Sequence, residues 1–231
     1  MPKDRRIQQP SLVRMAAETI REMVLSGELR PGDRLVEERF TDELGISRPP
    51  LREALRVLEQ EGLVLSMPRR GVIVTPLSAQ DVYEIFTLRT TYERMAIELG
   101  VPCKDPELLA RVHRAVDAMV QAAKTEDRGQ FVRSAFEFHA SVVGLARHRR
   151  LEDAYRGLSL QLHLYMAANT RAREEHHETL EENAERHRRL LMAVERGDRE
   201  EVMSELANHG DRTFLEEVTH HVQGARGAAV W

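Results

Sequence analysis

Cysteine is almost absent from this 231-residue chain: Cys103 is the only one. That excludes an intrachain disulfide and fits a reducing compartment. No apolar run approaches the roughly 20 residues that a membrane-spanning helix needs. The opening MPKDRRIQQP lacks the apolar segment of a secretion signal. The chain is therefore expected to be soluble and cytoplasmic, with no membrane partner. Metalloprotease chemistry lacks its motif, since His177-Glu178 is followed by Thr-Leu-Glu-Glu rather than a second histidine at the required spacing. No Gly-rich phosphate loop and no nucleophile with an adjacent base stand out, so an enzyme is not expected. Aromatic residues are scarce at 5%, and charged residues make up 31%. With few Gly and Pro and long stretches of helical spacing, this composition favours a mainly α protein.

Strong charge of one sign is also missing, since the net charge is only -4. Its distribution is more telling. Residues 1–76 carry 13 Lys/Arg and 12 Asp/Glu, while the remainder carries 21 and 26. The first part is near neutral, so any nucleic-acid contact must come from where its arginines are placed rather than from bulk charge.

That placement is orderly. Leu12, Ala16, Ile20, Met23 and Val24 recur at helical spacing and predict a helix over about 11–26, closed by Gly27 and Pro31-Gly32. A second helix is predicted over 37–44, with Gly45 at its left-handed end. Ser47 is a suitable N-cap for a third helix, and Pro49 and Pro50 fall in its first turn, where a missing N–H costs little. Leu51, Leu55, Leu58 and Leu63 form its buried stripe. Residues 63–66 and 71–75 then read as a hairpin with Met67-Pro68-Arg69-Arg70 at its tip. Helix, turn, helix and wing in this order make a winged helix-turn-helix, a device for placing one helix in the major groove of double-stranded DNA. Ser47, Arg48, Pro49 and Arg52 lie where the reading helix begins. An arginine fork suits guanine or phosphate, and the wing arginines Arg69 and Arg70 suit a narrow minor groove.

From Ser78, which forms a capping-box pattern with Asp81, the chain reads as a bundle of about six helices. Their expected limits are 78–100, 105–125, 127–147, 149–171, 174–196 and 199–222. Two domains are therefore expected, 1–76 for DNA binding and 77–231 for effector binding and dimerisation. His187 and His209 lie at nearly equal distances either side of the Gly197-Asp198 turn. In an antiparallel helix pair they would sit at one height and could share a metal with His139, at the centre of the 127–147 helix. Arg89 lies one turn before Glu93 and could pair with it as a surface i, i+4 bridge.

Residues 31–71 closely resemble the GntR family of bacterial transcription regulators. The resemblance rests on Pro31-Gly32, Arg34-Leu35, Glu37, Leu44-Gly45, Ser47-Arg48, Pro50, Arg52-Glu53-Ala54-Leu55, Leu58, Glu61-Gly62-Leu63 and Gly71. It implies DNA contacts by Arg34, Ser47, Arg48, Arg52 and the wing residues Arg69, Arg70 and Gly71. Two positions depart from the pattern. Glu38 stands where relatives often carry a DNA-contacting arginine, and Pro49 can offer only an apolar contact to a thymine methyl. The C-terminal part resembles the all-helical ligand domain of the FadR subfamily, the FCD domain. That resemblance implies a carboxylate-binding role for Arg89 and a divalent transition metal, Zn or Ni, on His139, His187 and His209. The fourth ligand of the pattern, an aspartate, is replaced by Ala135, and His148 stands where relatives often have asparagine. The expected function is a ligand-responsive repressor, a homodimer on a near-palindromic operator, sensing a small organic acid.

Overall fold

The structure, a computed structural model, describes residues 12–175 and 178–209, the side chain of His209 excepted. The chain divides into two compact units. One holds the described part of Met1–Val24 with Leu29–Pro76; the other holds Leu25–Glu28 with the described part of Leu77–Trp231.

The first unit contains α1 (Leu12–Leu25) as far as Val24, β1 (Arg34–Leu35), α2 (Glu37–Leu44), α3 (Arg48–Gln60), β2 (Val64–Met67) and β3 (Gly71–Val74). Its core is the stripe that the spacing predicted: Ile20, Phe40, Leu51, Leu58 and Leu63 are all fully buried. Gly45 ends α2 at φ 62°, a conformation that glycine adopts without the Cβ clash other residues meet. The wing is a three-stranded antiparallel sheet in the order β1-β3-β2, with Arg34 opposite Ile73 and Met67 opposite Gly71. The third strand, β1, is an addition to the expected hairpin.

The second unit contains α4 (Ala79–Gly100), α5 (Pro106–Lys124), α6 (Arg128–Gly144), α7 (Arg149–Gly157), α8 (Ser159–Glu175), α9 (Leu180–Arg196) and α10 (Arg199–His209). Local chemistry sets most of the helix starts. The Ser78–Asp81 capping box opens α4, Asp105 and Asp127 accept backbone N–H groups at the heads of α5 and α6, and a Thr179–Glu182 box opens α9. α6 is buried on nearly every side, which places it at the centre of the bundle. It packs against α4, α5, α7 and α8. Gly100 ends α4 so close to the end of α6 that an added Cβ would lie 2.4 Å from the Leu145 carbonyl carbon.

Several helix limits differ from expectation, and α6 ends at Gly144 rather than at 147. The segment expected as one helix over 149–171 is broken at Leu158, where the backbone turns and Leu158 N–H donates to Tyr155. The bundle thus has seven helices among the described residues rather than six. α8 then runs on to Glu175, and α9 begins at Leu180, not near 174. The expected stretch beyond 209 lies outside the described residues. No helix among the described residues is long and apolar enough to cross a membrane.

Candidate DNA-reading surface and sensing cavity

The head of α3 is open to solvent. Ser47, Arg48, Pro49 and Arg52 are all exposed. Ser47 occupies the N-cap position with extended backbone, but its side chain makes no capping hydrogen bond. The expected hydroxyl cap is therefore not formed, and the proline pair that begins at Pro49 starts the helix without it. At the wing tip, Arg70 N–H donates to the Met67 carbonyl at 3.1 Å, and Arg69 adopts φ 65°. The turn leaves both arginines exposed beside Gly71. Arg34 is exposed on β1, where an added Cβ on Gly71 would approach its guanidinium within 3.8 Å. Arg52 is not isolated. Its Nε donates to Glu37 Oε1 at 2.9 Å and its Nη2 to Glu37 Oε2 at 3.0 Å. This pair holds the Glu37 carboxyl below the usual range, chiefly through the Arg52 hydrogen bond, and raises Arg52. Glu37 is a residue of the surface that the sequence reading did not single out for chemistry.

In the second unit, α4 and α6 bring ionisable groups together in the interior. Arg89 is 6% exposed, and Glu93 and His139 are each 1% exposed. Arg89 Nε donates to Glu93 Oε1 at 2.9 Å, and Tyr155 Oη donates to the same oxygen at 3.1 Å. Arg89 Nη2 lies 2.6 Å from His139 Nε2, and His139 Nδ1 lies 3.0 Å from Glu93 Oε1. The same Nη2 lies 3.0 Å from His139 Nδ1, so the guanidinium sits against both ring nitrogens, and the ring's protonation sets which of them accepts. The expected surface bridge between Arg89 and Glu93 is thus a buried four-residue network. Burial alone would raise the Glu93 carboxyl, but the Arg89 charge and its hydrogen-bond partners hold it down at about 2. The same burial and carboxylate push the Tyr155 hydroxyl well above its ordinary value.

His187 on α9 faces His139 edge to face, with ring centroids 5.2 Å apart. Its Nδ1 is 2.8 Å from the Asn183 carbonyl, to which it donates. Burial, and then His139, push its pKa well below 6.5. Both groups give acid sensitivity of one sign. The unfolded chain takes up a proton at His187 as pH falls below 6.5, and another at Glu93 as it falls from 4.5 towards 2, while the folded state resists both. Stability present at neutral pH is therefore lost in two stages. The urea midpoint measured against pH is expected to decline from about pH 6.5 and to steepen below about 4.5. His187→Gln should flatten the upper stage; an unchanged upper stage would place the linkage elsewhere.

Between these side chains lies a cavity of about 20 Å³, lined by Arg89, His139, Asn169, Thr170, Asn183 and His187 among others. It has room for about one water. Asn169 Oδ1 is buried there without a hydrogen-bond partner among the described residues, and Arg186, also lining it, is tied to Glu178 at 2.6 Å. The sequence carried no signal for Asn169, Asn183 or Tyr155 as site residues. Of the three histidines expected to hold a metal, the structure brings His139 and His187 together; the side chain of His209 lies outside the described residues. Ala135 lines the cavity with a methyl group where the metal pattern needs an oxygen. Glu137 does not compensate, being exposed and paired with Arg156 at 3.4 Å. Arg89 already lies against both ring nitrogens of His139. Among the described residues no group of three or more His, Cys, Asp or Glu side chains is placed to hold a metal. His148, the other departure, caps α7 by accepting Leu151 N–H at 3.2 Å.

Two domain families cover the same two units. Residues 12–74 match the bacterial regulatory proteins of the gntR family, and residues 84–212, more than half the chain, match the FCD domain. The chain belongs to the GntR family. It is a DNA-binding transcriptional regulator of the FCD-bearing type and not an enzyme. The HTH-type regulator YdhC of Bacillus subtilis is 29% identical over 192 residues, 82% of this chain and 84% of its own length. The gluconate operon transcriptional repressor of Bacillus licheniformis is 26% identical over 200 residues, 86% and 82% of the two chains. A GntR-type regulator from Rhodococcus sp. RHA1, solved as a crystal structure, shares the fold. Its TM-score is 0.67 at 24% identity, covering 92% of this chain and 98% of its own.

Proposed function

We propose that this GntR regulator is a repressor that senses a small organic acid at the Arg89 cavity and is released from its operator when the acid binds. The observation that carries this reading is a buried guanidinium, Arg89, facing a small polar cavity beside Asn169 Oδ1, which has no hydrogen-bond partner among the described residues. A planar guanidinium can take a carboxylate with two parallel hydrogen bonds, stronger than neutral ones. To do so, Arg89 must share or exchange its hold on His139 and Glu93, and that rearrangement is the element an acid would bias. Its effect on DNA can only equal the difference in its affinity for the DNA-competent and DNA-incompetent states. The repressor relative favours repression as the direction.

Operator recognition in this reading is by a homodimer, because two-fold protein symmetry calls for near-palindromic half-sites. Leu88, Met95 and Leu99 are exposed along one face of α4 with half-buried Tyr92. They form an apolar stripe of the kind a second copy would cover.

The test is a melting-temperature screen of purified protein against small carboxylic acids. Each acid is run after EDTA treatment and with Zn or Ni added back. A ligand that binds only the folded state raises the melting temperature by mass action. Stabilisation by an acid in EDTA-treated protein, lost in Arg89→Lys, is the expected result. Stabilisation only after metal is restored would replace this reading with a metal-assisted one that draws on His209. No shift with any acid would favour a scaffold whose bundle only dimerises.

A further inference from the structure

We propose that Glu37 determines the base specificity of Arg52: it grips one edge of the guanidinium and leaves the other edge to read a guanine. The argument begins with donor geometry. Arginine has five N–H groups in a rigid plane. Nε and Nη2 lie along one edge and both point at the Glu37 carboxylate, at 2.9 to 3.1 Å. The edge formed by Nη1 and the second N–H of Nη2 is a separate fork, turned away from Glu37. Two parallel donors with this spacing match guanine O6 and N7 in the major groove, and no other base presents two acceptors there in that arrangement.

Position supports the same reading. Glu37 is the first residue of α2, held by the helix start, and Arg52 lies one turn into α3, the helix whose exposed head faces outward. Arg52 keeps 61% of its side chain exposed and Glu37 34%. An ion pair this open adds little to folding stability. Its effect must be sought in what it does to the arginine. A free arginine side chain carries rotamer entropy, which binding has to remove. The Glu37 clamp removes part of it before DNA arrives. It also cancels the arginine's charge locally, so the pair adds little to the sequence-independent attraction of phosphates. A carboxylate beside DNA repels the backbone. Glu37 therefore trades overall affinity for discrimination, and an unclamped Arg52 is free to swing to a phosphate and read nothing.

Selection and sequencing from a pool of random 20-base-pair duplexes, with full-length protein, tests this. Wild type is expected to fix guanine at one half-site position, and Arg52→Ala to lose that preference. Glu37→Ala should lose about tenfold discrimination at the same position, while binding unselected DNA as well as wild type or better. Glu37→Gln, which keeps the shape without the charge, should fall between. The melting temperature should stay close to wild type in all three. The proposal is overturned if Arg52→Ala changes no guanine position, or if the Glu37 variants keep the wild-type preference. Uniform loss across all positions, or a large fall in melting temperature in both Glu37 variants, overturns it too by making Glu37 a prop for the fold.

Discussion

Glu93→Ala is expected to destabilise the FCD domain by about 3–5 kcal/mol, the usual cost of breaking a buried ion pair from one side. The substitution does three things together. It leaves the Arg89 guanidinium, 6% exposed, without its carboxylate. It takes the acceptor from Tyr155 Oη and the carboxylate partner from His139 Nδ1. Each orphaned donor adds a desolvation penalty, which a single water in so small a cavity could relieve for one donor but not for all three. Urea unfolding, with the midpoint and slope fitted together, measures the loss. Removing both charges should cost much less: Arg89→Met with Glu93→Ala is expected to recover a large part of the deficit, because a buried pair is often replaceable by apolar packing. A single variant that loses under about 1 kcal/mol would mean that water reaches the network, contrary to the burial observed. A double variant no better than the single one would show that the charge imbalance is not what costs stability.

The second large effect concerns the head of α3. Arg48 is its first residue, exposed and aimed away from the core. Arg48→Ala should weaken operator binding about thirtyfold, roughly 2 kcal/mol, which is the scale of one good arginine contact to a base. The melting temperature should not move, since the side chain packs against nothing in the core. Fluorescence anisotropy across a salt series separates two origins of the loss. A phosphate contact would weaken all sequences alike and lower the salt slope by about one; a base contact would weaken the operator far more than unrelated DNA. Affinity within threefold of wild type on the operator would remove Arg48 from the reading surface.

The winged helix-turn-helix was legible in sequence because its signals are local. Gly45, the Ser47-to-Pro50 head of α3, and the apolar runs on either side of the Arg69-Arg70 tip each specify conformation within a few residues. β1 was missed because Arg34 and Leu35 are strand only by pairing with Ile73 and Val72, far along the chain. The break between α7 and α8 was missed for a different reason. It takes a single residue, Leu158, and apolar spacing continues on both sides. The site was half legible. Arg89 with Glu93 reads as an i, i+4 pair whether buried or exposed. What makes it a buried network is α6 packing over α4, a tertiary event without a local signature. His139 and His187 were found from their spacing. Ala135 showed in sequence that the metal pattern was incomplete; only the structure showed that Arg89 takes up a nitrogen of His139. Asn169 and Asn183 carry no pattern at all, and their place in the cavity follows from how α8 and α9 fold onto α6.

If the cavity takes an organic acid as proposed, its small size has a kinetic consequence. A space of about 20 Å³ cannot admit an organic acid as it stands, so the side chains that line it, or the helices that carry them, must move before or as the acid enters. Capture then waits on a protein motion rather than on diffusion alone. If opening comes first, the observed binding rate should level off at high acid concentration, at the rate of opening. The apparent affinity would be reduced by the fraction of molecules open at rest. A regulator built this way responds slowly to brief rises in acid and fully to sustained ones. Substitutions that loosen the packing around the cavity would change the response time before they changed what is recognised.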